Sequence, residues 1–430
     1  MINYLKTHIS TKFFVLIFIV LYFITFYALI TKCKLNLMSF VGVPVISNYT
    51  FADLRVVTTA SDCIRKGFDP LYENPCYIMG SLQLNYPRIW QGLSMFGLTE
   101  SQTVPIGFAS AFLFYTCFVF IFLPKKINIK ENVLYLSCLF SPAVLLLVER
   151  GNVDIIIFIL VAIAIPFVNR NEFMKRAIGY SILLFASVLK LFPLFGFVIY
   201  IREFKKDKKR ALIFGSILLF LFVAYIVFTI NDIRAIASIT PKGTSWSYGF
   251  QVFFMTNDRV IHSLLSLTHV NDTLLAIILK YLPYVALISA ISITLVLSFL
   301  YRKSDKFAYV ERIQTHIISF QIGASIFIGT FMLGNNWDYR LVFLLFCIPQ
   351  LVEWSRASKK ILSLPNMTLA FILLTLWSSF WINYSTFAHN LLEELTNWMI
   401  LANLILLVSL SLRKDCCRYL NQLYTHLRSR

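Results

Sequence analysis

Charged and amide side chains collect at the ends of hydrophobic segments in five separated parts of the sequence. These parts hold Asp53 with Arg55, Tyr86 with Arg88, Arg150 with Asn152 and Asp154, Lys190, and Asp338 with Arg340. A charge at the edge of a membrane is costly, and it is by default a functional hypothesis. Polar capping of a helix end can explain any one of these residues, so the hypothesis rests on the whole set.

These residue types suit the transfer of a sugar from a lipid-linked phosphate. The leaving phosphate gains charge in the transition state, which preorganised Lys or Arg side chains stabilise. The accepting hydroxyl needs a carboxylate base within hydrogen-bond reach, and a base opposite the leaving group gives inversion. Asp53 is the candidate base, with a salt bridge to Arg55 as the alternative. Lys190 is the candidate phosphate contact, with snorkelling to the interface as the alternative.

The composition places these residues in a membrane protein. Of 430 residues, 58% are hydrophobic and 14% are charged, and the mean hydropathy is +0.73. Soluble domains are typically about 25% charged. The net charge of +18 has a topological explanation, because the basic residues collect in short segments between spans, as on a cytoplasmic face. We therefore expect no nucleic-acid partner.

The hydrophobic segments predict an all-α integral membrane domain over residues 1–430, with about 10–12 transmembrane segments and both termini in the cytoplasm. Residues 132–148 and 341–354 each read as a single span. In contrast, residues 177–201 read as two half-spans that meet near Lys190, because Pro193 can break a helix. This is the one interrupted helix that the sequence predicts.

Two long outer segments and a basic tail complete the predicted topology. The first extracytoplasmic loop covers residues 31–103 and carries amphipathic helices, and the second covers residues 231–272. Cys63 and Cys76 fall in the first loop, where a disulfide and two free thiols are both open. In the second loop, the aromatic residues of 246–250 suit either sugar stacking or anchoring in the interface. Residues 413–430 are expected to form a helix along the inner leaflet.

Six motifs follow one another in order between about residues 50 and 350. They are the loop Asp53, then Gly-Phe-Asp-Pro-Leu-Tyr, Asn-Tyr-Pro, Arg-Gly-Asn-Val-Asp, Leu-Lys-Leu-Phe-Pro-Leu and Asp-Tyr-Arg-Leu. Together they resemble glycosyltransferase family 87, which belongs to the GT-C superfamily of transferases that use polyprenyl-phosphate sugars. The sequence departs from the family pattern where Tyr86-Pro87 is followed by Arg88 instead of a second proline.

The resemblance implies a GT-C-like bundle in a bacterial plasma membrane, with an extracytoplasmic active site for cell-envelope glycan synthesis. It implies that Asp53 is the base and that Lys190, Arg150 and Arg340 contact the donor phosphate. The residues expected to line the cavity are Arg55, Tyr86, Arg88, Asn152, Asp154 and Asp338. The implied partners are membrane lipids, a polyprenyl-phosphate sugar donor and a lipid or glycan acceptor. The transferred sugar is expected to be a hexose such as mannose. No cofactor and no metal are expected.

Two other function classes remain open. A lipid or oligosaccharide flippase should contain broken helices at matching positions of two halves, and a non-catalytic scaffold of envelope assembly would leave the outer carboxylates replaceable. The residues do not identify the sugar, the acceptor, the linkage or the oligomeric state.

Overall fold

The computed structural model describes residues 15–21, 25, 37–44, 49–77, 82–123, 128–258, 261–262, 272–301, 307–358, 360–383 and 385–428. Most of the predicted first span, residues 13–30, lies outside these ranges. The described chain is helical apart from one two-stranded sheet. It packs as two compact units, formed by residues 1–197 with 213–241 and by residues 198–212 with 242–430.

Residues 15–21 of the first unit are helical, and its described residues from 37 onward form seven α-helices that lie wholly within it and two short 3₁₀ helices. The α-helices are α1 (Leu37–Phe40), α2 (Ala52–Arg65), α3 (Thr103–Phe122), α4 (Ile129–Leu139), α5 (Pro142–Arg150), α6 (Asp154–Val168) and α7 (Phe173–Leu189), and the 3₁₀ helices are Arg88–Phe96 and Glu100–Gln102. Helices α3 and α6 pack through Phe114 and Phe158, whose ring centroids are 4.8 Å apart.

The predicted span 132–148 is not one straight helix. Helices α4 and α5 meet at an angle of 43° around Phe140 and Ser141. Pro142 opens α5, where its missing N–H leaves no hydrogen bond unmade. The hydroxyl of Ser141 donates to the carbonyl of Cys138 (2.8 Å) at the end of α4. The bend therefore ends one helix and begins the next without leaving these groups unpaired.

The predicted break near Lys190 is confirmed. Helix α7 ends at Leu189, Lys190 has an extended backbone, and a 3₁₀ helix follows over Phe192–Arg202. The helix end leaves carbonyl groups without helical partners. Tyr225 donates its hydroxyl to the carbonyl of Val188 (3.0 Å), and the Trp90 indole donates to that of Leu189 (3.1 Å). These two bonds stabilise the break that turns Lys190 away from the helix.

After the break the chain forms the short helix α8 (Glu203–Lys206) and the long helix α9 (Lys208–Ile239), which contributes to both units. Helix α9 continues well past residue 231, so the predicted second loop begins later than expected. The charged residues Asp232 and Arg234 do not end the helix, because no Gly or Pro lies between them and its last residue, Ile239.

The second unit contains a small sheet and the remaining helices. Its elements are β1 (Ser247–Tyr248), α10 (Val252–Thr256), α11 (Asp272–Tyr301), α12 (Ala308–Arg312), α13 (Ile317–Met332), β2 (Asn336–Trp337), the 3₁₀ helix Asp338–Phe346, α14 (Ile348–Ser358), α15 (Leu364–Leu376), the 3₁₀ helix Ser378–Asn383 and α16 (Thr386–Arg428). Strands β1 and β2 are antiparallel and pair Ser247 with Trp337 and Tyr248 with Asn336. The sheet therefore joins the predicted second loop to the turn before Asp338.

A second bent pair lies in this unit. The 3₁₀ helix Asp338–Phe346 and helix α14 meet at 55° near Cys347, within the segment 341–354 that the sequence predicted as one span. Pro349 follows directly in the first turn of α14, where proline is tolerated. The expectation that Lys190 marks the one interrupted helix was therefore wrong, because bent pairs occur in both units.

Helix α16 runs without interruption for 43 residues. The backbone of the predicted tail, residues 413–430, continues this helix to Arg428 and does not begin a separate one at residue 413. The tail contains no Gly or Pro, so nothing in its sequence ends the helix.

Four described helices are long and apolar enough to cross a membrane, and six are if each bent pair is counted as one span. The four are Glu100–Phe122, Lys208–Ile239, Ala276–Tyr301 and His389–Leu412. Three shorter apolar helices are α6, α13 and α15. The protein is thus an all-α, multi-pass membrane protein, whereas the larger count of 10–12 spans and the sidedness remain predictions.

Candidate functional site

Asp53 lies at the start of α2 in a tightly constrained backbone. Phe51, the residue directly before this helix, has left-handed dihedral angles (φ 58°, ψ 46°), which are uncommon for an aromatic residue. Its N–H donates to the carbonyl of Glu149 (2.9 Å). Its buried ring fills the space beside Gly107 and Gly151, where a Cβ atom would contact it. Strain of this kind persists where the surroundings impose it, and here it fixes the start of the helix that carries Asp53.

Asn152 connects the separated polar residues. Its Nδ2 donates to Asp53 Oδ2 (2.6 Å) and lies 3.3 Å from the Tyr86 hydroxyl oxygen. Its Oδ1 accepts from the backbone N–H of Asp154 (2.9 Å) and from Lys190 Nζ (3.5 Å). Because the donor end meets a carboxylate and the acceptor end meets an ammonium group, the amide can adopt only one useful orientation.

Two cations flank this amide. Arg150 Nη1 lies 3.6 Å from Asp53 Oδ1, and Lys190 Nζ lies 2.6 Å from Asp154 Oδ1. Lys190 also lies over the Tyr86 ring, 5.3 Å from its centroid. The Asp154 side chain is fully buried, whereas Lys190, Arg150 and Asp53 are 12%, 17% and 22% exposed. Lys190, Arg150 and the Asp53 carboxylate are thus all partly accessible, while the buried Asp154 carboxylate holds Lys190 in place.

Burial raises the pKa of Asp53 above its usual value. The charges of Arg150 and Lys190 and the hydrogen bond from Asn152 oppose this effect. A carboxylate whose pKa is raised is a stronger base in its ionised form, and the neighbouring cations favour that form. The arrangement therefore suits proton abstraction by Asp53.

Arg55 does not pair with Asp53. It forms an ion pair with Glu100, and its guanidinium lies over the ring of Tyr49, 5.2 Å from the centroid. Residues two apart on a helix point in different directions, so Arg55 and Asp53 leave α2 on different faces. The salt bridge that was the alternative reading of Asp53 is not formed, and Arg55 stabilises the contact between α2 and the Glu100–Gln102 helix.

Arg88 holds two acidic residues of the first unit together. It makes a two-point contact with Asp232 on α9 (3.0 Å for both Nε–Oδ2 and Nη2–Oδ1) and a further bond to Asp69 (2.9 Å). Asp69 also accepts from the N–H of Leu71 (3.2 Å). The departure at Arg88 from the family pattern thus belongs to a cross-link between the first loop and α9, and Arg88 already has carboxylate partners.

Asp338 and Arg340 lie in the second unit. Asp338 is buried, and its carboxyl lies beside those of Glu393 and Glu394 on α16. His389 Nε2 lies 3.1 Å from Glu393 Oε2. Arg340 donates to the side chain of Asn336. Asp338 therefore belongs to a buried carboxyl cluster (Asp338, Glu393 and Glu394), which is a different environment from the cavity edge that its sequence position suggested.

Of the aromatic residues in 246–250, Tyr248 and Phe250 are part of the core, whereas Trp246 is half-buried. Tyr248 is completely buried, its ring stacks on Phe327 with centroids 5.5 Å apart, and its hydroxyl lies 2.8 Å from that of Thr330. Phe250 is also buried. Both readings of this segment, sugar stacking and interface anchoring, fail for these two rings because neither is accessible.

Cys63 and Cys76 form a disulfide. The bond joins the last turn of α2 to the segment that carries Tyr77. The pKa of Tyr77 is raised, first by burial and then by the negative charge of Asp53, so the phenol lies within electrostatic range of the candidate base. Tyr77 was not expected near the site from the sequence, although its position directly after a cysteine of the first loop was a usable signal.

No group of three or more His, Cys, Asp or Glu side chains in the described ranges could hold a metal ion. Comparisons with protein-family models, with curated proteins and with solved structures find no match to this chain. The site must therefore be interpreted from its own chemistry.

Proposed function

We propose that this protein is an inverting glycosyltransferase of GT-C type, which moves a sugar from a polyprenyl-phosphate donor to a lipid or glycan acceptor. The acceptor hydroxyl gives its proton to Asp53 as its oxygen bonds to the anomeric carbon of the sugar. The bond from that carbon to the phosphate oxygen breaks, and polyprenyl phosphate leaves with the bonding electron pair. No redox step and no metal is needed.

The observation that carries this proposal is the chain of contacts from Asp53 through Asn152 to Lys190. The Asn152 amide lies between the partly exposed Asp53 carboxylate and the partly exposed Lys190 ammonium group. It contacts both and keeps them from pairing with each other. A base and a phosphate-binding cation must act on opposite sides of one sugar. Arg150 Nη1 lies beside Oδ1 of Asp53, whereas Asn152 contacts Oδ2. Arg150 is the second cation proposed for the donor phosphate.

The disulfide supports an extracytoplasmic position for this site. Disulfides persist in oxidising compartments and are rare in the cytoplasm. Cys63 and Cys76 lie in the same loop as Asp53. The proposed membrane is the bacterial plasma membrane, with both termini of the chain in the cytoplasm, since the basic segments between spans favour that sidedness.

The direct test is release of polyprenyl phosphate by the purified protein, supplied with polyprenyl-phosphate mannose, glucose or arabinose and a membrane lipid extract as acceptor. We expect release with one of these donors and loss of release, by at least about 100-fold, in Asp53→Asn. Asp69→Asn is the matched control, because this carboxylate of the same loop accepts hydrogen bonds from Arg88 and the loop backbone. Full activity of Asp53→Asn removes Asp53 as the base.

A second candidate, a lipid or oligosaccharide flippase, is favoured by one observation. Each unit contains a bent helix pair, at 43° around Phe140 and at 55° near Cys347, and broken helices in both halves are typical of transporters. Movement of a fluorescent polyprenyl-phosphate lipid across proteoliposomes tests this function. Transport that persists in Asp53→Asn, with no release of polyprenyl phosphate by the unmodified protein, would favour the flippase.

A further inference from the structure

An open cavity of about 390 Å³ lies in the second unit, between the segment after β1 and the first turns of α11. Its aromatic wall is formed by Tyr281 and Tyr284, which are 54% and 46% exposed. The accessibility of these two tyrosines contrasts with the complete burial of Tyr248 on strand β1. The two tyrosines are three residues apart on one helix, so their side chains share a face.

The wall is held in place by contacts within the unit. The ring of Tyr284 meets that of Phe250 edge to face, with centroids 5.1 Å apart. Gln251 Nε2 donates a hydrogen bond to the Tyr284 hydroxyl oxygen (3.3 Å). Lys280 Nζ lies over the ring of Tyr281, 5.6 Å from its centroid. Tyr284 is therefore a preformed surface, and little ordering is needed when a ligand binds it.

The polar groups around the cavity include both donors and acceptors. Asp258, Lys280 and Gln251 line it together with Leu279. Pro283 lies inside α11 and has no N–H to return to the carbonyl of Leu279, four residues before it. One acidic and one basic side chain balance each other, which disfavours a phosphate group; phosphates are bound by clustered cations. A hydroxyl both donates and accepts, so it suits this mixture.

We propose that this cavity binds the neutral carbohydrate headgroup of a membrane glycolipid. A pyranose presents an apolar C–H face to an aromatic ring and hydroxyl groups at its rim. Tyr281 and Tyr284 would cover that face, while Asp258, Gln251 and the Leu279 carbonyl would take the hydroxyl groups. Mostly apolar walls with a few polar groups are the usual composition of a small-molecule site.

The position of the cavity on α11 favours a lipid over a soluble saccharide. The stretch Ala276–Tyr301 is long and apolar enough to cross a membrane. On the turns after Tyr284, Val285 and Ile288 are 58% and 63% exposed. Acyl chains attached to a headgroup in the cavity would therefore continue along an apolar helix surface. Identification of this headgroup as the sugar acceptor rests on the proposed function, but its binding does not.

The test uses full-length protein in phosphatidylcholine nanodiscs without any polyprenyl-phosphate donor. The probe is dodecyl maltoside with a diazirine in the alkyl chain, and dodecylphosphocholine with the same diazirine is the matched phosphate probe. After irradiation, mass spectrometry locates the labelled residues. We expect the maltoside to label α11 beyond Tyr284 at least about fivefold more strongly than the phosphocholine does.

Variants separate recognition from interface anchoring. We expect Tyr281→Ala to reduce maltoside labelling about fivefold, and Tyr281→Phe to retain it because the ring remains. Tyr301→Ala, at the opposite end of the same helix, is the matched control and should label normally. Equal labelling by both probes, or equal losses in Tyr281→Ala and Tyr301→Ala, would overturn the proposal.

A competition arm distinguishes the two sources of the sugar. If free maltose displaces the probe at concentrations comparable to those of dodecyl maltoside itself, the ligand is a soluble saccharide and the glycolipid assignment is wrong. Displacement by the alkyl glycoside alone supports it. Because no donor is present, absence of glycosyl transfer in other experiments leaves this result unaffected.

Discussion

Replacing Arg150 by Gln should move the acid limb of the pH–rate profile to higher pH. The guanidinium lies 3.6 Å from the Asp53 carboxylate, and at that distance Coulomb's law gives about 1 kcal/mol in water and about 5 kcal/mol at an effective dielectric constant of about 20. Both side chains are partly exposed, so solvent screening places the interaction near the lower value. Since about 1.4 kcal/mol corresponds to a tenfold change in an equilibrium constant, the acid limb should move to higher pH by about one pH unit.

The sign follows from the proposed role of Asp53 as a base. The rate depends on the ionised carboxylate, so it falls as the pH decreases through the pKa of Asp53. Burial already raises this pKa, and Arg150 is the largest of the opposing effects. Removing the positive charge leaves burial less opposed, so protonation of the proposed base should lower the rate at a higher pH.

The assay is the initial rate of polyprenyl phosphate release between about pH 4 and pH 9, measured at subsaturating donor. Arg150→Gln should also lower the plateau rate, because the same side chain is a proposed phosphate contact, and the position of the limb is read separately from its height. Arg55→Gln is the control, since Arg55 pairs with Glu100, and its limb should stay in place. An acid limb that is unchanged or lower in Arg150→Gln would refute the proposed coupling.

Three further substitutions test the framework of the site. Asn152→Leu should lower release of polyprenyl phosphate at least about 100-fold, because it removes the contacts to Asp53 and Lys190. It should also cost about 1–3 kcal/mol of stability, because the buried partners of the amide lose their hydrogen bonds; near-normal release would contradict this. Gly151→Ala places a side chain at φ 58° and should destabilise the protein by about 1–2 kcal/mol in thermal unfolding, as required by left-handed geometry. Cys63→Ser removes the disulfide between two residues that are 13 positions apart in the sequence, and it should lower the free energy of unfolding by about 2–3 kcal/mol. Equal stability of the unmodified protein with and without reductant would exclude a structural disulfide.

The sequence predicted those features that depend on local pattern. The long apolar helices and the break at Lys190 followed from hydropathy and from Pro193. The structure brings Asp53, Asn152 and Lys190 together, and all three stand where helices begin or end. Helix ends on one side of a bundle meet at a similar depth, so such residues come together when their helices pack.

The remaining features depend on contacts between distant segments. Nothing local indicates that Arg88 meets Asp232, 144 residues later, or that Arg55 chooses Glu100 over the nearer Asp53. The sheet is equally non-local, since β1 and β2 have two residues each and are defined by their pairing. The bends at Ser141 and Cys347 were missed although Pro142 and Pro349 follow them, because the apolar run continues through each bend and hydropathy alone does not distinguish a bent helix from a straight one.

Among the described side chains of helix α16, a buried stripe of polar and apolar residues has a consequence for biogenesis. His389, Glu393 and Asn397 follow one another at intervals of four, and the stripe continues through the fully buried Ile400 and Leu404. A slip of one residue would rotate the stripe by about 100° and turn carboxyl groups towards acyl chains, at about 3 kcal/mol for each central charge. We therefore expect the last helix to leave the translocon only once α13 and α15 are present to receive it.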